Sequence, residues 1–111
     1  MSGFGGAGAF SDGKYNITND FGGTLYQYIG KKRALDLMRY VDDINMKYGG
    51  DGTKLYSTAG TAFKRECITH DLHLLNASVR HLGTDINYIV LENLYNDLKN
   101  KVDFFFDIVL E

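Results

Sequence analysis

The residues with the widest chemical reach are gathered in one stretch, Cys67 to Gly83, which holds all three histidines and the single cysteine of the chain. Within it Ile68, Leu72, Leu75, Val79 and Leu82 step by four, three, four and three. That spacing predicts one helix running to Leu82, with an apolar stripe turned inward. At about 100° per residue, His73 then lies roughly 140° from the stripe centre and faces water. Thr69, Asn76, Ala77 and Arg80 share its face, three, four or seven residues away. An exposed imidazole on a helix can attack a phosphoryl group, act as a general base, ligate a metal, or be a plain surface residue of a structural bundle.

His70 and His73, at i and i+3, are two candidate ligands without a second pair elsewhere, so no metal centre is predicted. Cys67 flanks the core stripe and reads as a small buried residue. Nucleophile elbows, phosphate-cradling glycine loops and zinc-finger spacings are absent from the sequence.

The residues from His73 to Gly83 resemble the motif of the histidine-containing phosphotransfer (HPt) domain family. That motif places leucine, lysine, glycine and serine at +2 to +5 from the histidine, and leucine-glycine at +9 and +10. Here Leu75, Ser78, Leu82 and Gly83 agree, while Asn76 stands for the lysine and Ala77 for the glycine. Tyr28-Ile29-Gly30 ahead of a helix is similar to the family's start. The resemblance implies a helical bundle in which His73 accepts a phosphoryl group from a receiver-domain partner. Asn76 and Arg80 would help to hold it, and Ala77 and Thr69 would border it. It implies no cofactor within the domain, the magnesium being the partner's.

A second resemblance is to truncated haemoglobins. Leu25-Tyr26, Ile29-Gly30 and Ala34-Leu35 are similar to that family's opening helix, and Gly83-Thr84-Asp85 to the segment after its haem-linked histidine. It would make His73 or His70 an axial ligand, but the interval between Gly30 and His73 is shorter than that fold requires.

The elements that must position these residues follow from punctuation by glycine. Residues 1–23 carry seven glycines interleaved with Phe4, Phe10, Tyr15, Ile17 and Phe21, which predicts an irregular Gly/aromatic N-terminal arm that docks on the rest or on a partner. Within it, residues 14–18 can form a short extended piece. Thr24 caps a helical turn ended by Gly30, and a helix from Lys31 follows with the stripe Ala34, Leu37 or Met38, Val41, Ile44 and Tyr48. Gly49-Gly50-Asp51-Gly52 ends it. Thr53 or Ser57 caps the next segment, where Leu55, Tyr56, Ala59, Ala62 and Phe63 form a looser stripe; its helix is set by Lys64 and runs to Leu82, Gly83 stops it, and Thr84 or Asp85 caps a last helix that Ile86, Ile89, Val90, Leu94, Leu98, Val102, Phe105 and Val109 carry to the C-terminus. Its tail from Phe104 to Leu110 is apolar on several sides, which suits burial, an interface or a strand-like ending. The expected fold is therefore all-α: an antiparallel bundle of three to four helices over residues 24–111.

Composition sets the outer limits. The 111 residues are 44% hydrophobic and 23% charged, a globular balance with no proline. A net charge of −2 argues against a nucleic-acid partner. The N-terminal residues lack the pattern of a signal peptide, no run suits a membrane span, and one cysteine fits a reducing, cytoplasmic setting. Two functions follow as expectations: a phosphorelay intermediate on His73, or a non-catalytic helical interaction or inhibitor protein. The second would bind a protein partner or another copy through the arm and the apolar tail; neither makes the chain an enzyme in the ordinary sense.

Overall fold

The computed structural model describes residues 3–58, 62–72, 75 and 77–109. It corrects the all-α expectation: three strands form an antiparallel sheet beside four helices, so the fold is mixed α/β. In chain order the elements are β1 (Lys14–Ile17), α1 (Tyr26–Ile29), α2 (Lys31–Asn45), β2 (Leu55–Ser57), α3 (Ala62–Thr69), β3 (Ser78–His81) and α4 (Thr84–Leu98). A 3-10 turn covers Gly6–Phe10, and α2 widens into a π turn over Met46–Gly50.

The helix expected to reach Leu82 stops at Thr69. The N–H of Leu72 donates to Cys67 O at 2.7 Å, and that of Asp71 to Ile68 O at 3.2 Å. Asp71 sits at φ 56° in the left-handed region. This is a Schellman stop built on aspartate, where the residue most often found is glycine. The chain then returns as β3, the central strand of the sheet order β1-β3-β2. Lys14 pairs with His81 and Ile17 with Ser78 on one side; Leu55 pairs with Arg80 and Ser57 with Ser78 on the other. The supposed helical stripe is thus divided among a helix, a loop and a strand. Ile68, Leu72 and Leu75 are all exposed, and of that set only Leu82 is buried.

Period-two alternation assigns the sheet its faces. Tyr15, Ile17, Ser78, Arg80, Leu55 and Ser57 share the face toward α2, whereas Lys14, Asn16, Tyr56 and His81 are exposed on the other. The strand ladder continues one residue beyond its register, Leu82 N donating to Gly13 O at 2.8 Å. Gly13, at φ 75°, is required there, since a Cβ would stand 2.7 Å from Gly83 O.

Helix α4 ties the ends together. Val90 and Asn87 are fully buried. The Asn87 amide accepts from the Tyr15 hydroxyl and donates to Gly8 O at 2.9 Å, so one side chain joins the 3-10 turn, β1 and α4. Farther along α4, Asn93 Nδ2 donates to Tyr48 O at 2.7 Å, and the Tyr48 hydroxyl donates to Asp97. The N-terminal segment docks on this helix as well: Phe4, Tyr95, Phe104 and Phe106 form an aromatic cluster with ring centroids 5.3 to 6.4 Å apart.

The core is small. Among the described residues Ile17, Ala34, Leu82 and Val90 are the buried hydrophobics. The accessible surface is 8425 Å², against about 6,200 Å² for a compact monomer of this mass. The radius of gyration is 16.9 Å, against about 13 Å for a compact domain of this length. Among the described residues no helix is long and apolar enough to cross a membrane.

Candidate functional site

Helix α2 is the wall shared by two depressions, and its sequence shows why. The pattern of apolar residues predicts a buried stripe through Leu37 and Val41, but these are 46% and 43% exposed. The residues that face inward are Ala34, Asp42 and Asn45, so two polar side chains stand where the stripe predicts apolar ones. Each has a different fate.

Asp42 meets Arg80 of the central strand. Arg80 Nε donates to Oδ1 and a terminal guanidinium nitrogen to Oδ2, both at 2.9 Å, while the other terminal nitrogen donates to Thr53 O at 2.7 Å. The two side chains are only 13% and 11% exposed. The hydrogen bonds that the guanidinium donates to Asp42 hold its pKa above the ordinary value, against the opposing effect of burial. Beside this pair lies a cleft of about 590 Å³ between α2 and the β2–β3 side of the sheet. Lys31 and Arg39 line it together with Asp20, Asp42 and Asp43, and Ser78 Oγ donates to Ser57 Oγ at 3.2 Å along its wall. With two cations and three carboxylates, the cleft offers no dominant sign to a charged ligand.

Asn45 lies on the other side. It is 7% exposed, and its Nδ2 has no hydrogen-bond partner among the described residues. It lines a notch of about 230 Å³ between α2 and β1. Tyr15 and Ile17 form one wall; Leu25, Leu37, Met38 and Val41 form the others. Burial pushes the Tyr15 phenol above its usual pKa. The amide nitrogen is sealed from the surface, so the notch offers an entering group mainly apolar walls. Its volume falls below the roughly 300–1,000 Å³ of small-molecule sites. It is the size of a seat for one side chain of a partner.

The residues singled out from the sequence are dispersed. His73 and Asn76 lie outside the described residues. Thr69 closes α3, its hydroxyl donating to Arg65 O at 3.0 Å. Ala77 precedes β3 and exchanges bonds with Thr58: its N–H donates to Thr58 Oγ1 and its C=O accepts from Thr58 N, both at 3.0 Å. Arg80 is committed to Asp42 and Thr53. The shared helical face expected for Thr69, Ala77 and Arg80 does not form, because a helix stop and a strand separate them. Among the described residues no three His, Cys, Asp or Glu side chains gather as a metal site.

Asp42 and Asn45 are the residues that sequence reasoning passed over. For Asn45 a signal existed: it stands four residues after Val41 and three before Tyr48, a polar residue beside the apolar stripe. For Asp42 the deciding partner is 38 residues away. Compared with models of protein families, with curated proteins and with solved structures, the chain matches none of them.

Proposed function

We propose that this protein acts by binding another polypeptide and is completed structurally by that partner. One observation carries the reading: apolar surface stands open that a compact chain of this size would hide. Among the described residues nineteen large hydrophobic side chains are exposed and four hydrophobics are buried. The surplus over a compact monomer is about 2,200 Å². One protomer of an obligate complex hides about 1,000–2,500 Å². Isolated exposed hydrophobics are ordinary, but nineteen exposed against four buried, in a chain more extended than a compact domain of its length, support an interaction surface.

The binding reading is tested on the full chain by sedimentation together with a hydrophobic-surface dye. It expects self-association, or a monomer that binds the dye strongly while retaining its secondary structure. A well-folded, dye-silent monomer would overturn it.

Phosphoryl transfer through His73 is carried by its motif residues alone. Its separate test is an acid-labile adduct, formed with a phosphorylated receiver domain and lost in His73→Gln.

A further inference from the structure

We propose that the cleft between α2 and the sheet binds a small zwitterion, a short peptide with free ends, whose carboxylate lies toward Lys31 and Arg39 and whose ammonium lies toward Asp43. The site is independent of the polypeptide-binding reading above. At about 590 Å³ the cleft falls within the range of small-molecule sites, which the notch does not. Its long wall is one ridge of α2: Lys31, Leu35, Arg39 and Asp43 follow at steps of four and share a face.

The charges along that ridge are ordered. Its cations come first, and the helix adds to them. Lys31, Lys32 and Arg33 fill the first turn of α2, no acidic residue stands there, and Gly30 supplies no side-chain cap. The positive end of the helix dipole therefore meets three cations, the reverse of the arrangement that stabilises a helix. Arg39 is exposed as well. Its pair with Asp36 spans 3.9 Å between side chains 64% and 57% exposed, and so weak a pair yields to another carboxylate. At the other end Asp42 neutralises Arg80, and Asp43 adds a second carboxylate beside that guanidinium. That end is left negative.

A ligand of one sign is repelled at one end of such a cleft, and a ligand of both signs is attracted at each. Counting Arg80, with Asp20 on the segment after β1, three cations and three carboxylates surround the space, which suits a ligand of no net charge. Leu35 separates the two cations on the ridge, and Ile17, Leu55 and Ala77 line the sheet side, so the body of the ligand meets apolar walls. Ser57 and Ser78 add hydroxyl groups for its amides. Along the axis of α2, Asp43 lies about 6 Å from Arg39 and about 18 Å from Lys31. A peptide of three residues, about 10 Å when extended, falls between those spans.

The test is a nuclear magnetic resonance titration of the full chain with the tripeptide Ala-Leu-Ala in four forms: free, N-acetylated, C-amidated and blocked at both ends. The free form should give saturable shifts at the amides of Leu35, Arg39, Leu55 and Ala77 and leave Leu25 and Val41 in the notch unmoved. Each single block should weaken binding about threefold, and both together about tenfold. Arg39→Glu should abolish the preference for a free carboxylate and keep that for a free ammonium; Asp43→Lys should do the reverse. Both residues are exposed, and circular dichroism checks that each variant is folded. Equal binding of the four forms, shifts confined to the notch, or no saturable shift with the free tripeptide would overturn the inference. None of these outcomes bears on the polypeptide-binding reading, which sedimentation and the dye decide.

Discussion

The two sides of α2 handle buried polarity in opposite ways. On the side of the larger cleft, Asp42 and Arg80 satisfy one another through two 2.9 Å bonds and Thr53 O takes a third donor. On the side of the notch, Asn45 is as deeply buried and its amide nitrogen goes unpaired among apolar walls. One helix therefore carries a finished internal contact and an unfinished one within a single turn. Polar groups that hold a fold together are saturated by the fold itself. A buried group left unsaturated is instead a cost that the fold carries.

The comparison predicts different responses to substitution. The largest effect belongs to the finished side. Asp42→Ala leaves a guanidinium largely buried without its counter-charge and should destabilise the fold by about 3–5 kcal/mol, read from urea denaturation. Replacing both partners with apolar residues of similar volume should cost much less than the two single changes together; equal additivity would show that the pair is not one unit.

On the unfinished side the sign reverses. Asn45→Leu removes an unpaired amide and fills apolar space, so the isolated chain should be unchanged or gain about 1–2 kcal/mol, again by denaturation. A loss of comparable size would show that the amide is satisfied in solution and would end the contrast.

The smallest expected effect is electrostatic and lies where α4 meets the turn after α2. The Tyr48 hydroxyl bond, followed by Lys101, holds the Asp97 carboxyl below its ordinary value of 3.8, and the same bond raises the Tyr48 phenol above 10.0. A carboxylate with a lowered folded pKa contributes stability above its unfolded pKa and loses it as pH falls through the folded value. The melting-temperature gap between wild type and Tyr48→Phe should therefore be constant from pH 5 to 8 and shrink below about pH 4. The phenol adds the mirror effect: its share is complete below pH 10 and declines as pH rises through the raised value. Added salt should weaken the exposed Lys101–Asp97 and Lys14–Asp12 pairs and leave the Arg80–Asp42 pair nearly unchanged.

What could be read in advance follows the range over which each signal acts. Gly30, Gly49 and Gly83 all adopt positive φ, and each marks a helix boundary that glycine alone predicts. The extended piece expected at residues 14–18 is β1, for the local reason that Tyr15 and Ile17 alternate with polar residues. The prediction failed between Thr69 and Leu82, where no glycine announces the stop and where apolar residues of three different elements happen to fall at heptad spacing. Arg80 was expected to hold a phosphoryl charge on a helix face, and instead it binds Asp42 from a strand.

By itself the sequence determined the glycine-marked ends of α1 and α2, the start of α4 and the aromatic character of both terminal segments, because those properties arise from backbone preferences and side chains within a few residues; the end of α4 at Leu98, short of the C-terminus its apolar stripe predicts, has no such mark. Only the tertiary structure decided that Ser78–His81 is a strand, that Asp42 and Asn45 turn inward, and that the apolar residues beside them face water. The reason is one of distance along the chain: a strand is defined by partners, and those of β3 lie in β1 and β2, far from it in sequence.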